Sequence, residues 1–237
     1  KNMPTTNCIF LDLRGHSILH QLQIEEALLR VANQNFCIIN SGAKDSIVLG
    51  ISRNLNQDVH ISRAQADHIP IIRRYSGGGT VFIDSNTLMV SWIMNSSEAS
   101  AQPQELLAWT YGIYSPLLPN TFSIRENDYV LGHKKIGGNA QYIQRHRWVH
   151  HTTFLWDIDL DKLSYYLPIP QQQPTYRNQR SHEEFLTTLR PWFPSRDDFL
   201  ERIKASGSLL FTWEEFLDNE LEEILAQPHR KATTVLN

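Results

Sequence analysis

Three apolar, β-prone runs, at residues 69–73, 80–83 and 87–94, follow one another with only a glycine cluster and the triplet Asp84-Ser85-Asn86 between them. No crossover helix fits in those gaps, and a parallel strand–helix–strand connection needs a dozen residues or more. A doubly wound sheet is thereby disfavoured, and the segment reads as a meander. Further strands are expected at residues 8–13, at 36–40 and 46–51 about the turn formers Ser41-Gly42, and as one run over 122–130. Residues 139–142 and 148–156 should pair about the basic turn Arg145-His146-Arg147. Helical spacing starts at Ser17, a good N-cap, and runs to about Ala32 with Leu22, Leu28 and Leu29 on its buried stripe. It returns at residues 62–67, 104–118, 197–205 and 213–225, the last two separated by Ser206-Gly207-Ser208, while the Pro/Gln-rich stretch 167–173 is a loop. This order predicts an α+β fold: a single large domain over residues 1–237, with mixed or antiparallel sheets flanked by helices gathered on one side.

At 237 residues and 41% hydrophobic, the chain can bury a substantial core. Its longest apolar runs, such as Cys37-Ile38-Ile39, fall far short of the roughly 20 residues that span a bilayer. Lys1 to Asn7 lack the apolar stretch of a secretory signal. Only Cys8 and Cys37 are present, too few for a disulfide framework or a zinc cluster, which suits a reducing compartment. The cytoplasm is expected, or an organelle if an upstream targeting segment has been removed. A net charge of −3 argues against a dedicated nucleic-acid binder. Neither membrane nor nucleic acid is therefore expected as a partner.

Two segments carry chemistry. The first is Arg73-Arg74-Tyr75-Ser76-Gly77-Gly78-Gly79-Thr80-Val81. Successive glycines present adjacent backbone N–H groups with no Cβ in the way, so the loop can curl round phosphate oxygens while the two arginines add charge and forked donors. A glycine cluster alone would be a hairpin turn; the paired arginines and flanking strands favour an anion site. It is neither a P-loop nor a dinucleotide fingerprint. The second is Asn127-Asp128-Tyr129-Val130-Leu131-Gly132-His133-Lys134-Lys135-Ile136-Gly137-Gly138-Asn139-Ala140. Strand alternation would set Lys135, Gly137 and Asn139 on one face and Lys134 on the other. Taken alone, this second segment fits an exposed basic hairpin better than a ligand site.

Together the two segments resemble lipoate-protein ligase A, in the group that also holds biotin-protein ligases and octanoyltransferases. The pattern Arg-Arg-x-Ser-Gly-Gly-Gly-Thr-Val, then Asn-Asp, then Lys-Lys-Ile-x-Gly-x-Ala carries the likeness. Leu22-Gln23-Ile24-Glu25-Glu26-Ala27, Ser46-Ile47-Val48-Leu49-Gly50 and His150-His151-Thr152-Thr153-Phe154-Leu155 extend it over residues 8–225. The resemblance implies a biotin/lipoate ligase-like catalytic domain that activates lipoate or octanoate with ATP and Mg2+ to an acyl adenylate such as lipoyl-AMP. The acyl group would then pass to a lysine of a carrier, the lipoyl domains of 2-oxoacid dehydrogenase E2 subunits or the glycine cleavage H protein. It implies Lys135 as the catalytic residue, touching the acyl carbonyl and the α-phosphate. Arg74, Ser76, Gly77, Gly78, Gly79, Thr80, Val81 and Phe82 would hold the phosphates and border the acyl tail. Asn127 and Asp128 would lie near the nucleotide and its metal, and Gly138, Ala140 and His151 would complete the site.

Two departures qualify the likeness. Ile83 stands where many members carry His, and the sequence stops soon after the last expected helix, where the classical ligase has a C-terminal accessory domain. That domain is expected to be absent here, with a separate accessory protein supporting adenylation. Octanoyltransferases of the group share the shorter architecture but use a cysteine nucleophile and no ATP; Cys8 and Cys37 fall in expected early strands instead, as buried structural thiols. An ATP-independent octanoyl or lipoyl transferase and a non-catalytic lipoyl- or biotinyl-binding protein are the alternatives. No residues are assigned to a protein-held metal, because His16 and His20 share a helical face with no third ligand in sight. Adjacent His150 and His151 should point to opposite strand faces, one packing and one lining the site.

Overall fold

The computed structural model describes residues 6–97 and 101–237, so Lys1 to Thr5 of the leading stretch lie outside them. In chain order the elements are β1 (Thr6–Asp12), α1 (Ile18–Val31), β2 (Phe36–Asn40), β3 (Ser46–Leu49), α2 (Leu55–Asp58), α3 (Ile61–Ala66), β4 (Ile71–Arg73), β5 (Val81–Ile83) and β6 (Thr87–Asn95). There follow α4 (Pro103–Tyr114), β7 (Phe122–Arg125), β8 (Asp128–Leu131), β9 (Lys134–Ile143), β10 (Arg147–Leu155), α5 (Leu160–Tyr166), α6 (His182–Phe185), α7 (Arg196–Gly207), β11 (Phe211–Glu214), α8 (Asp218–Ala226) and β12 (Thr234–Val235). They build an eight-stranded sheet ordered β11-β1-β2-β6-β10-β9-β8-β7 and a four-stranded sheet ordered β12-β4-β3-β5. Both sheets are mixed: β1 runs parallel to β2 and β11, and β3 parallel to β4, among otherwise antiparallel pairs. The class is α+β, as the order of apolar runs predicts.

Helix α1 starts where Ser17 accepts a hydrogen bond from the His20 N–H at 3.1 Å. Its apolar stripe, Leu22, Leu28 and Leu29, is buried in the layer between the two sheets, against Ile38 of the large sheet and Ile72 of the small one. Each such side chain contributes roughly 1.5–3 kcal/mol by leaving water. The helices are not gathered on one side. Leu106 and Leu107 of α4 and Phe199, Leu200 and Ile203 of α7 cover the outer face of the large sheet, while Ala64 of α3 and Tyr166 of α5 cover that of the small one. A large sheet buried on both faces needs cover on both.

Three local expectations give way to tertiary pairing. The meander breaks between β5 and β6, which join different sheets: β5 pairs with β3, and β6 runs between β2 and β10. The corner is an Asx turn, in which the Asp84 carboxylate accepts the Asn86 N–H at 2.8 Å. The run 122–130 is a hairpin, because Glu126 takes a left-handed φ of 52° and turns β7 back into β8. Residues 213–217 are not helical: β11 pairs in parallel with β1, and α8 begins at Asp218. Trp213 is drawn into the sheet by its ring contacts with Phe10 and Trp92, and Gly207 admits it, since a Cβ there would lie 2.6 Å from the Trp213 ring. Among the described residues no helix is long and apolar enough to cross a membrane.

On β10, His150 and His151 do alternate. His150 is fully buried, its Nδ1 accepting from the Gln141 amide at 2.9 Å and its Nε2–H donating to Asn139 Oδ1 at 3.1 Å. Burial, helped by the neighbouring His151, pushes its pKa down to about 3. A depressed folded-state value means that this neutral ring contributes stability above the unfolded value near 6.5 and loses it as pH falls from there towards 3. Denaturant unfolding should therefore show stability falling below about pH 6.5, by up to ~1.4 kcal/mol per pH unit. His150→Gln should flatten that slope; equal slopes for the two proteins would sink the assignment.

Candidate active site

A cavity of about 640 Å³ opens between the two sheets and α1. Its wall brings together Arg74, Gly77, Gly78, Gly79, Thr80 and Val81 from the glycine segment, Asn127 from the β7–β8 turn, Asp128 from the start of β8, Lys135, Gly138 and Ala140 from β9, and His151 from β10. Ser76 sits behind the wall, fully buried, and the Phe82 ring turns away to stack on Tyr166 with centroids 5.4 Å apart. Arg73 also differs from expectation. Its guanidinium is spent on the carbonyls of Gly50, Ile51 and Arg53, where it caps the turn after β3. Ile18, Leu22, Val48, Val81, Ile83 and Met89 form an apolar arm.

The glycine segment is shaped by close approach. Gly78 has φ +96°, and a Cβ on it would lie 2.7 Å from the Arg74 guanidinium; a Cβ on Gly50 would lie 2.1 Å from the Gly78 carbonyl oxygen. The loop's carbonyls are tied outward, Ile51 N–H donating to Ser76 O and Gly50 N–H to Gly79 O. Among the described residues the N–H groups of Gly77, Gly78 and Gly79 donate to no protein acceptor, which leaves a row of donors for an anion. Beneath them lies Arg74, 5% exposed, donating to Ser76 Oγ at 3.1 Å and to Gly77 O at 2.6 Å. No carboxylate pairs with it among the described residues, and burial pushes its pKa down to about 10. A cation in that position attracts an anionic ligand.

Behind the loop runs a polar chain. Ser76 Oγ lies 2.8 Å from His151 Nε2, and His151 Nδ1 lies 2.8 Å from Glu25 Oε1. The Glu25 carboxylate can only accept, so the Nδ1 proton goes to it, while Ser76 Oγ and His151 Nε2 share a contact in which either atom can donate. Glu25 is fully buried on α1 and also accepts from the Tyr75 hydroxyl and the Gln21 amide, both at 2.9 Å. Burial pushes its carboxyl up, but the His151 ring and the donors around it outweigh burial and hold it below the usual value. The distances are those of a nucleophilic triad, yet Ser76 is shut off from the cavity, so the chain positions rather than attacks.

Lys135 reaches the cavity by a different route from the expected alternation. The β8–β9 register shifts, with Tyr129 opposite Gly137 but Val130 opposite Lys135. This bulge puts Lys135 on the face of Gly138, where a Cβ would lie 3.2 Å from the ammonium, and turns Gly137 inward against Phe154. Lys135 Nζ lies 3.0 Å from Asp128 Oδ1. Lys134 points elsewhere, donating to the Glu183 carbonyl at 3.1 Å.

Several wall residues escaped sequence reasoning. Glu25 was legible in principle, since it falls three residues after Leu22 and three before Leu28, on the buried stripe of α1. Arg53 on the wall and Asp58 behind it were not: their buried ion pair, at 2.6 Å, also holds the Thr80 hydroxyl at 2.6 Å. The loop Gln172-Gln173-Pro174 closes one side of the cavity, Gln172 bonding to Arg53.

The sequence profile of the lipoyl protein ligase A/B catalytic domain matches residues 17–206. The chain belongs to that family. Inactive lipoate-protein ligase 2 of Plasmodium falciparum is 28% identical over 252 aligned positions, covering 80% of this chain and 65% of the relative. The chain spans about half of other curated relatives, 48% in the first of two Mycoplasma ligases and 46% in the second. Among solved structures, a bipartite lipoate-protein ligase of Thermoplasma acidophilum has a TM-score of 0.75 at 19% identity, covering 94% of this chain and 91% of that one. A lipoate-protein ligase A bound with ATP has a TM-score of 0.74 at 18% identity, covering 93% and 92%. At those identities the structures establish a shared fold.

If the family site is an anion cradle here, charge at Arg74 matters more than its hydrogen bonds. Arg74→Gln can still donate an amide hydrogen bond to its neighbours but carries no charge, so the protein should fold and bind inorganic pyrophosphate, a probe for the anion cradle, at least about tenfold more weakly, or ~1.4 kcal/mol. Calorimetric titration beside a circular dichroism spectrum checks this; unchanged affinity would remove Arg74 from the site.

Proposed function

We propose that the chain is a lipoate-protein ligase, which activates lipoate or octanoate with ATP and transfers the acyl group to a carrier lysine. The observation that carries this reading is the meeting, across one cavity, of unbonded glycine N–H groups over a buried unpaired Arg74 with the Lys135 ammonium, beside an apolar arm. The arm takes the acyl tail and the polar end takes the nucleotide. In the first step the acid's carboxylate attacks the α-phosphorus and pyrophosphate leaves; in the second the carrier amine attacks the mixed anhydride and AMP leaves. Negative charge builds on oxygen in both, and a fixed ammonium and backbone donors aimed there lower both barriers.

Among the described residues no group of three or more His, Cys, Asp or Glu could hold a metal by itself. Mg2+ at nucleotide sites needs only one or two protein oxygens besides the phosphates, and Asp128 and Asn127 at the cavity wall fit that donor set. It would neutralise triphosphate charge. The carriers proposed are E2 lipoyl domains, in keeping with the archaeal ligase solved with its E2 lipoyl domain, and the glycine cleavage H protein. That archaeal ligase is bipartite, which supports a second protein as an aid to adenylation here.

Incubation with ATP, Mg2+, lipoate and a lipoyl domain should add one lipoyl mass to the carrier, and lipoyl-AMP supplied directly should do so faster. Failure of both would leave a binding protein in place of a ligase; the Plasmodium relative is itself named inactive. Lys135→Ala should lower either transfer at least about a hundredfold, in line with loss of one oxyanion donor. Lys134→Ala should stay within twofold, since its ammonium bonds outside the cavity. Both cysteines are buried thiols, and burial pushes the Cys37 thiol well up, so neither is placed as a nucleophile. A Cys8→Ser, Cys37→Ser double variant that folds should keep transfer from lipoyl-AMP; its loss would favour the ATP-independent transferase.

A further inference from the structure

The Asp128 carboxylate that faces Lys135 is held from behind. Its Oδ1 meets the Lys135 ammonium at 3.0 Å, and its Oδ2 accepts the Tyr176 hydroxyl at 2.8 Å. Tyr176 lies on a 3-10 turn, Thr175–Arg177, in the connection between α5 and α6, far in sequence from both motifs. Its own placement is heavily specified. The Tyr176 N–H donates to Glu126 Oε1 at 3.0 Å, its carbonyl accepts from Arg180 at 2.9 Å, and its ring lies 5.2 Å from that of Phe185. The Phe185 ring is in turn covered by the Arg177 and Arg180 guanidinium groups, at 4.6 and 5.2 Å. Directly after this turn Asn178 and Gln179 both adopt left-handed φ, 51° and 60°, a strained pair of non-glycine residues that the surrounding bonds must sustain.

We propose that Tyr176 is a positioning residue for Lys135, acting through Asp128. A carboxylate turns freely about its Cβ–Cγ bond unless one oxygen is fixed. With Oδ2 tied to the phenol, Oδ1 can only face the ammonium, and the ammonium is parked over Gly138, where it borders the cavity. The cost of a misaimed ammonium is kinetic, because its worth depends on meeting the reacting oxygens at hydrogen-bond distance. This inference rests on the role proposed for Lys135, and the alternative is that Tyr176 only packs.

Tyr176→Phe separates the two, because it keeps the ring on Phe185 and removes the one O–H. Transfer from lipoyl-AMP should fall about tenfold in kcat with KM within twofold, and adding Tyr176→Phe to Asp128→Ala should cost nothing further. A second readout needs no activity: labelling by an amine-reactive reagent, followed by peptide mass spectrometry. The ratio of Lys135 to Lys134 modification should rise at least threefold in Tyr176→Phe and in Asp128→Ala, as the ammonium comes off its tether. A wild-type labelling ratio in Tyr176→Phe, or a full additional loss of kcat on top of Asp128→Ala, would overturn the proposal. If the unaltered protein transfers nothing, the ligase reading fails, and the labelling ratio alone still decides whether Tyr176 places Lys135.

Discussion

Ser76 is the point at which the small sheet, the large sheet and α1 are tied together. Its hydroxyl takes a hydrogen bond from Arg74 and reaches His151 on β10, which reaches Glu25 on α1. Each of these groups is buried or nearly so, and each is costly to bury without its partner. The chain begins at a guanidinium, which can only donate, and ends at a carboxylate, which can only accept. The glycine loop can hold its N–H groups unbonded towards the cavity because this seam, with the Asp58–Thr80 bond at its other end, fixes it from behind.

The two cations of the site are treated differently, and the contrast suits their proposed tasks. Arg74 is buried with no carboxylate in ion-pair contact among the described residues, Glu25 acting on it only from a distance, so its guanidinium can still gain from an anion in the cavity. Lys135 is paired with Asp128 and remains partly exposed. The first arrangement favours binding of a phosphate; the second keeps an ammonium aimed but movable. Both depend on glycine. Gly78 gives the guanidinium room, and Gly138 gives the ammonium a backbone to lie over.

What holds these groups in place comes from segments with no motif. Arg53 lies just before a short helix of ordinary composition and Asp58 ends it, yet their ion pair fixes Thr80. Tyr176 belongs to a Pro/Gln-rich connection. Sequence reading places functional residues where residue type and spacing concentrate a chemistry, and supporting residues have no such concentration. Glu25 is intermediate, because a carboxylate on the apolar stripe of a helix contradicts its surroundings and so calls for a buried partner.

By itself the sequence determined the α+β class, the extent of α1 and the segment Arg74 with Gly77, Gly78 and Gly79 as a candidate anion site, because capping, apolar spacing and glycine chemistry are local; Asn127, Asp128 and Lys135 joined that set only through the family resemblance. Tertiary structure decided the rest. It split β5 and β6 between sheets, made β11 a strand where helical spacing was expected, spent Arg73 on the turn and turned Phe82 away. Most consequentially, a β-bulge moved Lys135 to the face of Gly138 instead of Gly137. Strand partner, register and bulge are set by which neighbours a strand finds across the fold, and the strand's own residues alternate in the same way whichever neighbours those are.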